Sequence, residues 1–153
     1  MKNLFMNRCP VIMAIKPKFA KLIYEGRKFW EFRTTNPPPL MRLVYVYEPG
    51  REYEITGTIM FRMKIEGILD DVWEKVTMST ASTFNGTGIR YSDLRKYVGD
   101  SKTVAALRVC DVKRMDTPLK VKTFIRPPRN WCSLTAAISS GFCVYNVEGG
   151  NAL

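Results

Sequence analysis

The amino-acid sequence predicts an α+β fold, a small mixed β-barrel of about five or six strands flanked by two or three helices. Three observations carry that reading. Arg42–Tyr47, Tyr53–Glu66 and Thr103–Val112 are rich in β-branched and aromatic residues, which suit a pleated, half-buried surface. Helical spacing of apolar residues is confined to short stretches. Proline and glycine clusters punctuate the chain between these runs.

The elements follow in order. Val11–Ile15 is a short apolar run ending at Lys16-Pro17, and it reads as a strand. Pro17 suits the first turn of a helix, where its missing N–H would lack a partner anyway. Phe19, Leu22 and Ile23 recur at helical spacing, and Gly26 stops the helix. Arg27–Arg33 reads as the second strand, and Pro37-Pro38-Pro39 as a stiff connection. Arg42–Tyr47 is the third strand, closed by a Glu48-Pro49-Gly50 turn. Tyr53–Glu66 is one long strand with Gly57 as a bulge or close approach. Asp70–Thr77 is a short helix, with Asp70 or Asp71 near its positive end. Ser79–Gly88 is a polar loop. Ser92 is expected to cap a helix running to Val98 and ended by Gly99. Thr103–Val112 is a further strand, and Asp116-Thr117-Pro118 turns the chain. Leu119–Lys122 is an edge strand or a helix start. Trp131–Val147 holds one strand or a short helix before a frayed Gly149-Gly150 tail. No repeat or second domain is visible, so residues 1–153 are read as one domain.

Charge narrows the function. Twenty-four Lys and Arg face 14 Asp and Glu, a formal net charge of +10. Such an excess favours anionic partners, nucleic acid first. The chain has no histidine, which removes His-based triads and His metal ligands. Its cysteines, Cys9, Cys110, Cys132 and Cys143, form no Cys-x-x-Cys pair, so no structural zinc is expected. They read as mostly buried thiols of a reducing compartment. No metal and no cofactor is expected. Met1–Cys9 lacks an apolar run long enough for a signal peptide, and no stretch approaches a membrane span. A soluble, cytoplasmic protein that does not engage membranes is the expectation.

The most informative stretch is Gly26-Arg27-Lys28-Phe29-Trp30-Glu31-Phe32-Arg33. In a regular strand, Lys28 and Glu31 would point to opposite faces, so they meet only across a twist, bulge or turn. The stretch reads Gly-x-Lys-x-x-Glu-x-Arg and resembles the signature of the ASCH domains, a branch of the PUA-like β-barrel superfamily. The resemblance extends further. Ile15-Lys16-Pro17-Lys18-Phe19-Ala20 is similar to the family's opening into its first helix. Val44–Pro49 and Ile55–Ile59 look like the strands that follow. Leu69–Trp73, Tyr91–Tyr97 and Val104–Arg108 fit the later helix, helix and strand. Pro127-Pro128-Arg129-Asn130-Trp131 is similar to a Pro-Pro-Gln-Ser-aromatic element of some members. The match spans residues 11–135.

The resemblance implies a cleft beside the Lys–Glu–Arg motif suited to RNA or a nucleotide. It also implies two enzyme branches, one cleaving RNA and one hydrolysing acetylated cytidine nucleosides with a lysine, a threonine and a glutamate. This chain keeps the lysine as Lys28 but has Glu31 at the threonine position. Ser82–Gly88 holds no glutamate where that branch carries its second acid, and Asn130 replaces the serine.

The favoured expectation is an RNA-preferring nucleic-acid-binding module; the alternative is a ribonuclease or modified-nucleoside hydrolase centred on Lys28. As a binder, it would use Lys16, Arg27, Lys28 and Arg33 for phosphate. Glu31 would accept from an exocyclic amine, and Tyr47 would stack on a base. Arg129, Asn130 and Trp131 would line the cleft from a Pro-stiffened loop. As an enzyme, it would use Lys28 as nucleophile or base and Glu31 as its partner. Lys28→Ala is expected to damage function much more than stability. Arg108, Lys113 and Arg114 read as a solvated strand end.

Overall fold

The computed structural model describes residues 10–35, 37–50, 54–78, 86–123, 130–139, 142–146 and 150–151. Strand β1 (Val11–Ala14) leads into helix α1 (Pro17–Tyr24), then β2 (Trp30–Arg33), β3 (Val44–Glu48) and β4 (Glu54–Ile68). Helices α2 (Leu69–Met78) and α3 (Tyr91–Val98) follow, with a 3-10 turn at Gly99–Ser101. Strand β5 (Thr103–Thr123) precedes β6 (Trp131–Ser133), helix α4 (Leu134–Ser139), β7 (Phe142–Asn146) and β8 (Gly150–Asn151). Six described strands have four residues or more, and three described helices have eight or more. The expected α+β class and element content therefore stand.

The strands pair in the order β6-β1-β3-β4-β5-β7-β8. Only the β1–β3 ladder is parallel among the described pairings. Strand β5 carries β4 along one edge; β2 pairs with its first half and β7 with its last residues. The described pairings coil the sheet into a barrel-like form without closing it. Register shifts along β4–β5 let two long strands bend around the core. Gly57 lies at one shift, and a Cβ there would fall 2.3 Å from the Lys113 carbonyl oxygen, so the expected close approach is real.

Three apolar clusters fill the interior. Val11, Met13 and Ile15 pack with Ala20 and Ile23 of α1, whereas Ile12 and Ala14 pack on the other side with Tyr47 and Ile55. A strand buried on both faces reads as an unbroken apolar run, as Val11–Ile15 does. Trp30, Phe32 and Ala106 pack against Leu69, Val72 and Val76 of α2 and Leu94 and Val98 of α3.

Several boundaries differ from expectation. The second strand starts at Trp30, not Arg27. The backbone N–H groups of Arg27 and Lys28 donate to the Leu22 carbonyl, and Phe29 N–H donates to Gly86, so this segment caps α1 before it joins the sheet. Gly26 takes φ +69°, as a helix stop there requires. Ser92 is not the cap of α3; Arg90 holds that position without a side-chain cap, and Ser92 lies in the first turn. Strand β5 runs through Asp116-Thr117-Pro118 instead of turning. Its partners jump from Gly57–Arg114 to Ile55–Leu119, so Pro118, which lacks an N–H, sits in a bulge rather than in the ladder. The segment after Trp131 is strand, helix and strand, and Gly150–Asn151 pairs with β7 rather than fraying.

Candidate nucleic-acid interface

The motif residues come together because α1 ends beside the start of β2. Gly26 turns the chain, and Lys28 then folds its side chain inward rather than along the strand direction. The ammonium donates to the Trp30 carbonyl at 2.7 Å and the Thr87 carbonyl at 2.6 Å. Glu31 Oε2 lies 3.6 Å from it, and Glu31 Oε1 holds Arg33 at 2.8 Å. Arg33 also donates to the Ala14 carbonyl at 2.8 Å. Lys28, Glu31 and Arg33 are 3%, 6% and 7% exposed. The expected meeting of Lys28 and Glu31 across a turn is present.

Two glycines make this burial feasible. Gly86 and Gly88 take φ of +66° and +63°. A Cβ on Gly88 would fall 2.9 Å from Lys28 Cδ, and one on Gly86 would overlap the Phe29 ring. The chain between them therefore lies directly on Lys28 and brings the Thr87 carbonyl to its ammonium.

Two cations share one carboxylate here. Among the described residues, the trio carries one positive charge without a neutralising partner. Burial pushes the Lys28 amine below the ordinary lysine range; the Glu31 carboxylate opposes that shift, and the Arg33 guanidinium reinforces it.

Above this floor lies a cleft of about 680 Å³, a size that suits a small ligand. Lys28, Glu31 and Arg33 line it, with Phe19 and Phe32 as apolar walls and Asn130 opposite. Exposed Lys16 and Lys18 stand at its rim, as does Arg90, which is paired with Asp93 at 2.8 Å. Asn130 donates through Nδ2 to Thr35 Oγ1 at 2.5 Å, while its Oδ1 is buried without a partner among the described residues.

The expected site residues divide. Lys16, Lys28, Glu31, Arg33 and Asn130 meet in the cleft. The ammonium of Lys28, expected to contact phosphate, is instead buried and donates to two carbonyls. Tyr47 is not in the cleft but fully buried with Ile12, Ile55 and Val121; the bulge between Val46 and Tyr47 accompanies this inward placement. Arg27 lies outside the cleft lining, beside Glu25 at 3.5 Å. Trp131 packs against the α1 core rather than the cleft. Arg129 falls outside the described residues, as do Pro127, Pro128 and most of Ser82–Gly88. Arg108 is not a solvated strand end, since its guanidinium stacks 4.3 Å from the Phe29 ring centroid. Cys110 and Cys132 are free and half-buried. The sequence reading passed over Phe19, Thr35, Thr87 and Arg90 as site residues. Lys18 and Phe19 sit within the Lys-Pro opening, and the Gly-Thr-Gly spacing around Thr87 was the visible signal for that loop.

No family model matches the chain. No curated protein matches it either. Solved structures do. An ASCH protein from Zymomonas mobilis superposes with a TM-score of 0.68 at 19% identity, covering 89% of this chain and 97% of that one. A serine-to-alanine variant of it gives 0.67 at 19% identity, covering 88% and 97%. A tyrosine-to-phenylalanine variant gives 0.66 at 18% identity, covering 88% and 99%. The chain thus has the fold of the ASCH domains. Among the described residues, no helix is long and apolar enough to cross a membrane.

Proposed function

We propose that the protein binds single-stranded nucleic acid, RNA in preference to DNA, and seats an exposed nucleotide in the cleft above Lys28. The observation that carries this reading is the uncompensated positive charge of the buried trio beneath a nucleotide-sized cleft. An anionic ligand balances that charge. Lys16 and Lys18, exposed at the rim, supply phosphate contacts that release counterions from the strand. Glu31, which lines the cleft, supplies an acceptor for a base edge. Phe19 and Phe32 supply an apolar surface on which a base packs. The ASCH fold supports RNA as the preferred strand.

A second reading makes the same cleft catalytic. It is favoured by one observation: burial loosens the hold of Lys28 on its proton. A lysine that sheds its proton beside a cleft can act as a base or nucleophile on RNA or a modified nucleoside.

One experiment separates these readings. A panel of labelled single-stranded RNAs and matched DNAs is incubated with the protein and read for both binding and cleavage. Binding without cleavage is the expected result, with affinity falling steeply as salt rises. Each phosphate contact contributes about 0.7 to the log–log slope. Replacing Lys16 and Lys18 together by alanine therefore lowers the slope by about 1.4. Cleavage by the unaltered protein, lost in a Glu31→Gln variant that still unfolds cooperatively, establishes the second reading instead. Absence of binding at low salt removes both.

A further inference from the structure

A second cavity adjoins the first. It has a volume of about 640 Å³ and shares Arg33, Thr34 and Thr35 with the cleft above Lys28. Its origin lies in the sheet. The β2–β5 ladder stops at the Arg33–Ala105 pair, while β5 extends back through Val104 to Thr103 against β4. After Arg33 the chain leaves β5 and opens a groove floored by Val104 and Ala105. The β5 backbone on that side, beyond Ala105, has no β2 partner. Hydroxyls of Thr34, Thr35 and Thr103 line the groove. Glu66, its one acid among the lining residues, is held by Lys64 at 3.2 Å.

The wall between the two cavities has the chemistry of a phosphodiester contact. It joins a guanidinium to two hydroxyls. Arg33, which lines both cavities, engages Glu31 and Ala14 through one terminal nitrogen. Asn130 fixes the wall by its bond to Thr35. The first cavity combines charge with apolar walls, as a base and its phosphate require. The second, lined by three threonines with Arg33 and Glu66 beside the end of the β2–β5 ladder, suits a ribose and the next base.

Resting on the binding function above, we propose that the cleft is the first of two adjoining subsites, and that the protein takes a strand of two or more nucleotides rather than a free nucleotide. The linking phosphate crosses Arg33, Thr34 and Thr35, and the second nucleotide lies along β5 beside Thr103.

Calorimetric titration of the full chain with ribonucleoside 5′-monophosphates, the corresponding dinucleotides and short homo-oligomers tests this. Dinucleotides are expected to bind roughly tenfold tighter than monophosphates or better, the gain that one added base contact brings. Thr103→Trp fills the second groove without touching the first, at an exposed strand position that tolerates an aromatic residue. It should abolish that gain and leave monophosphate affinity unchanged. Thr103→Glu, which sets a carboxylate against the strand, should do the same if the tryptophan variant does not fold. Equal affinity for mono- and dinucleotides in the unaltered protein overturns the second subsite and leaves the one-nucleotide cleft standing. A length gain that survives both variants also overturns it. Absence of binding to every ligand removes the two-subsite proposal together with the binding function.

Discussion

Two charge clusters of the same composition lie only a few residues apart. Lys21, Glu25 and Arg27 form one; Lys28, Glu31 and Arg33 form the other. Each has two cations around one carboxylate. In the first, Glu25 lies 3.9 Å from Lys21 and 3.5 Å from Arg27, whose side chains are 74% and 61% exposed. In the second, the distances are 3.6 and 2.8 Å and every member is more than nine-tenths buried. Water screens the first cluster, and ordering its long side chains offsets most of the attraction. The second had to give up its hydration, and its stability depends on every partner being in place. Equal charge patterns therefore do different things. One solvates a helix end, and the other stores an unbalanced charge beneath a cleft.

Removing the shared carboxylate should separate the clusters most. Glu31→Gln leaves Lys28 and Arg33 buried without a counter-charge, a defect that costs about 3–5 kcal/mol. Lys28→Met keeps the Glu31–Arg33 pair and similar bulk but strips two carbonyls of their donor, at about 1–3 kcal/mol. Denaturant unfolding of both variants checks the order. A Glu31→Gln loss no larger than that of Lys28→Met would show that the trio is not the electrostatic unit its geometry suggests. The burial of Lys28 also removes the premise of the expectation that Lys28→Ala damages function much more than stability. That expectation assumed a surface lysine, whereas this side chain is a buried strut.

The glycines sharpen the same contrast. Gly26 beside the exposed cluster and Gly88 over the buried one have φ of +69° and +63°. Alanine at either position strains the backbone by about 1 kcal/mol. Around Gly26 no atom lies within 4 Å of the added Cβ, but at Gly88 it would press on Lys28. Gly26→Ala should lower stability alone. Gly88→Ala should lower it further and weaken RNA binding as well, measured by melting and by titration with a single-stranded oligonucleotide. Equal effects on binding would mean that the chain around Gly88 does not set the cleft floor.

Much of this was legible in the sequence, for identifiable reasons. Gly26 after a helical pattern, the buried run at Val11–Ile15 and the special role of Gly57 are local facts that survive folding. So is the oddity of Lys28 and Glu31 at strand spacing. What failed depended on distant chain segments. Pro118 reads as a turn until Glu54 and Ile55 continue the ladder past it. Tyr47 reads as a cleft residue until the bulge beside it and the opposing Val121 enclose it. The depth of Lys28 depends on Thr87, 59 residues away, and nothing near Lys28 announces that contact.

A smaller test uses pH and a half-buried hydroxyl. Tyr24 donates to or accepts from Thr56 at 2.7 Å, and burial lifts its phenol from 10.0 to about 12. A raised folded value means that its stabilisation is complete below pH 10 and is lost as pH climbs towards 12. Melting temperature should fall across that interval, and Tyr24→Phe should flatten the fall. An identical slope in the variant would assign the alkaline loss to other groups.

The smallest expected effect belongs to Arg27, which sits inside the motif by sequence but outside the cleft in space. Its guanidinium faces Glu25 in water, so Arg27→Ala should change stability by no more than about 0.5 kcal/mol. Its distance from the cleft lining gives a second expectation. The salt slope of RNA binding should be unchanged by Arg27→Ala and reduced by Lys16→Ala, although both remove one positive charge. Were binding a matter of net charge alone, the two variants would behave alike. A loss of slope at Arg27 as large as that at Lys16 would therefore move the strand off the cleft and onto the end of α1, and the contrast between the two clusters would lose its functional meaning.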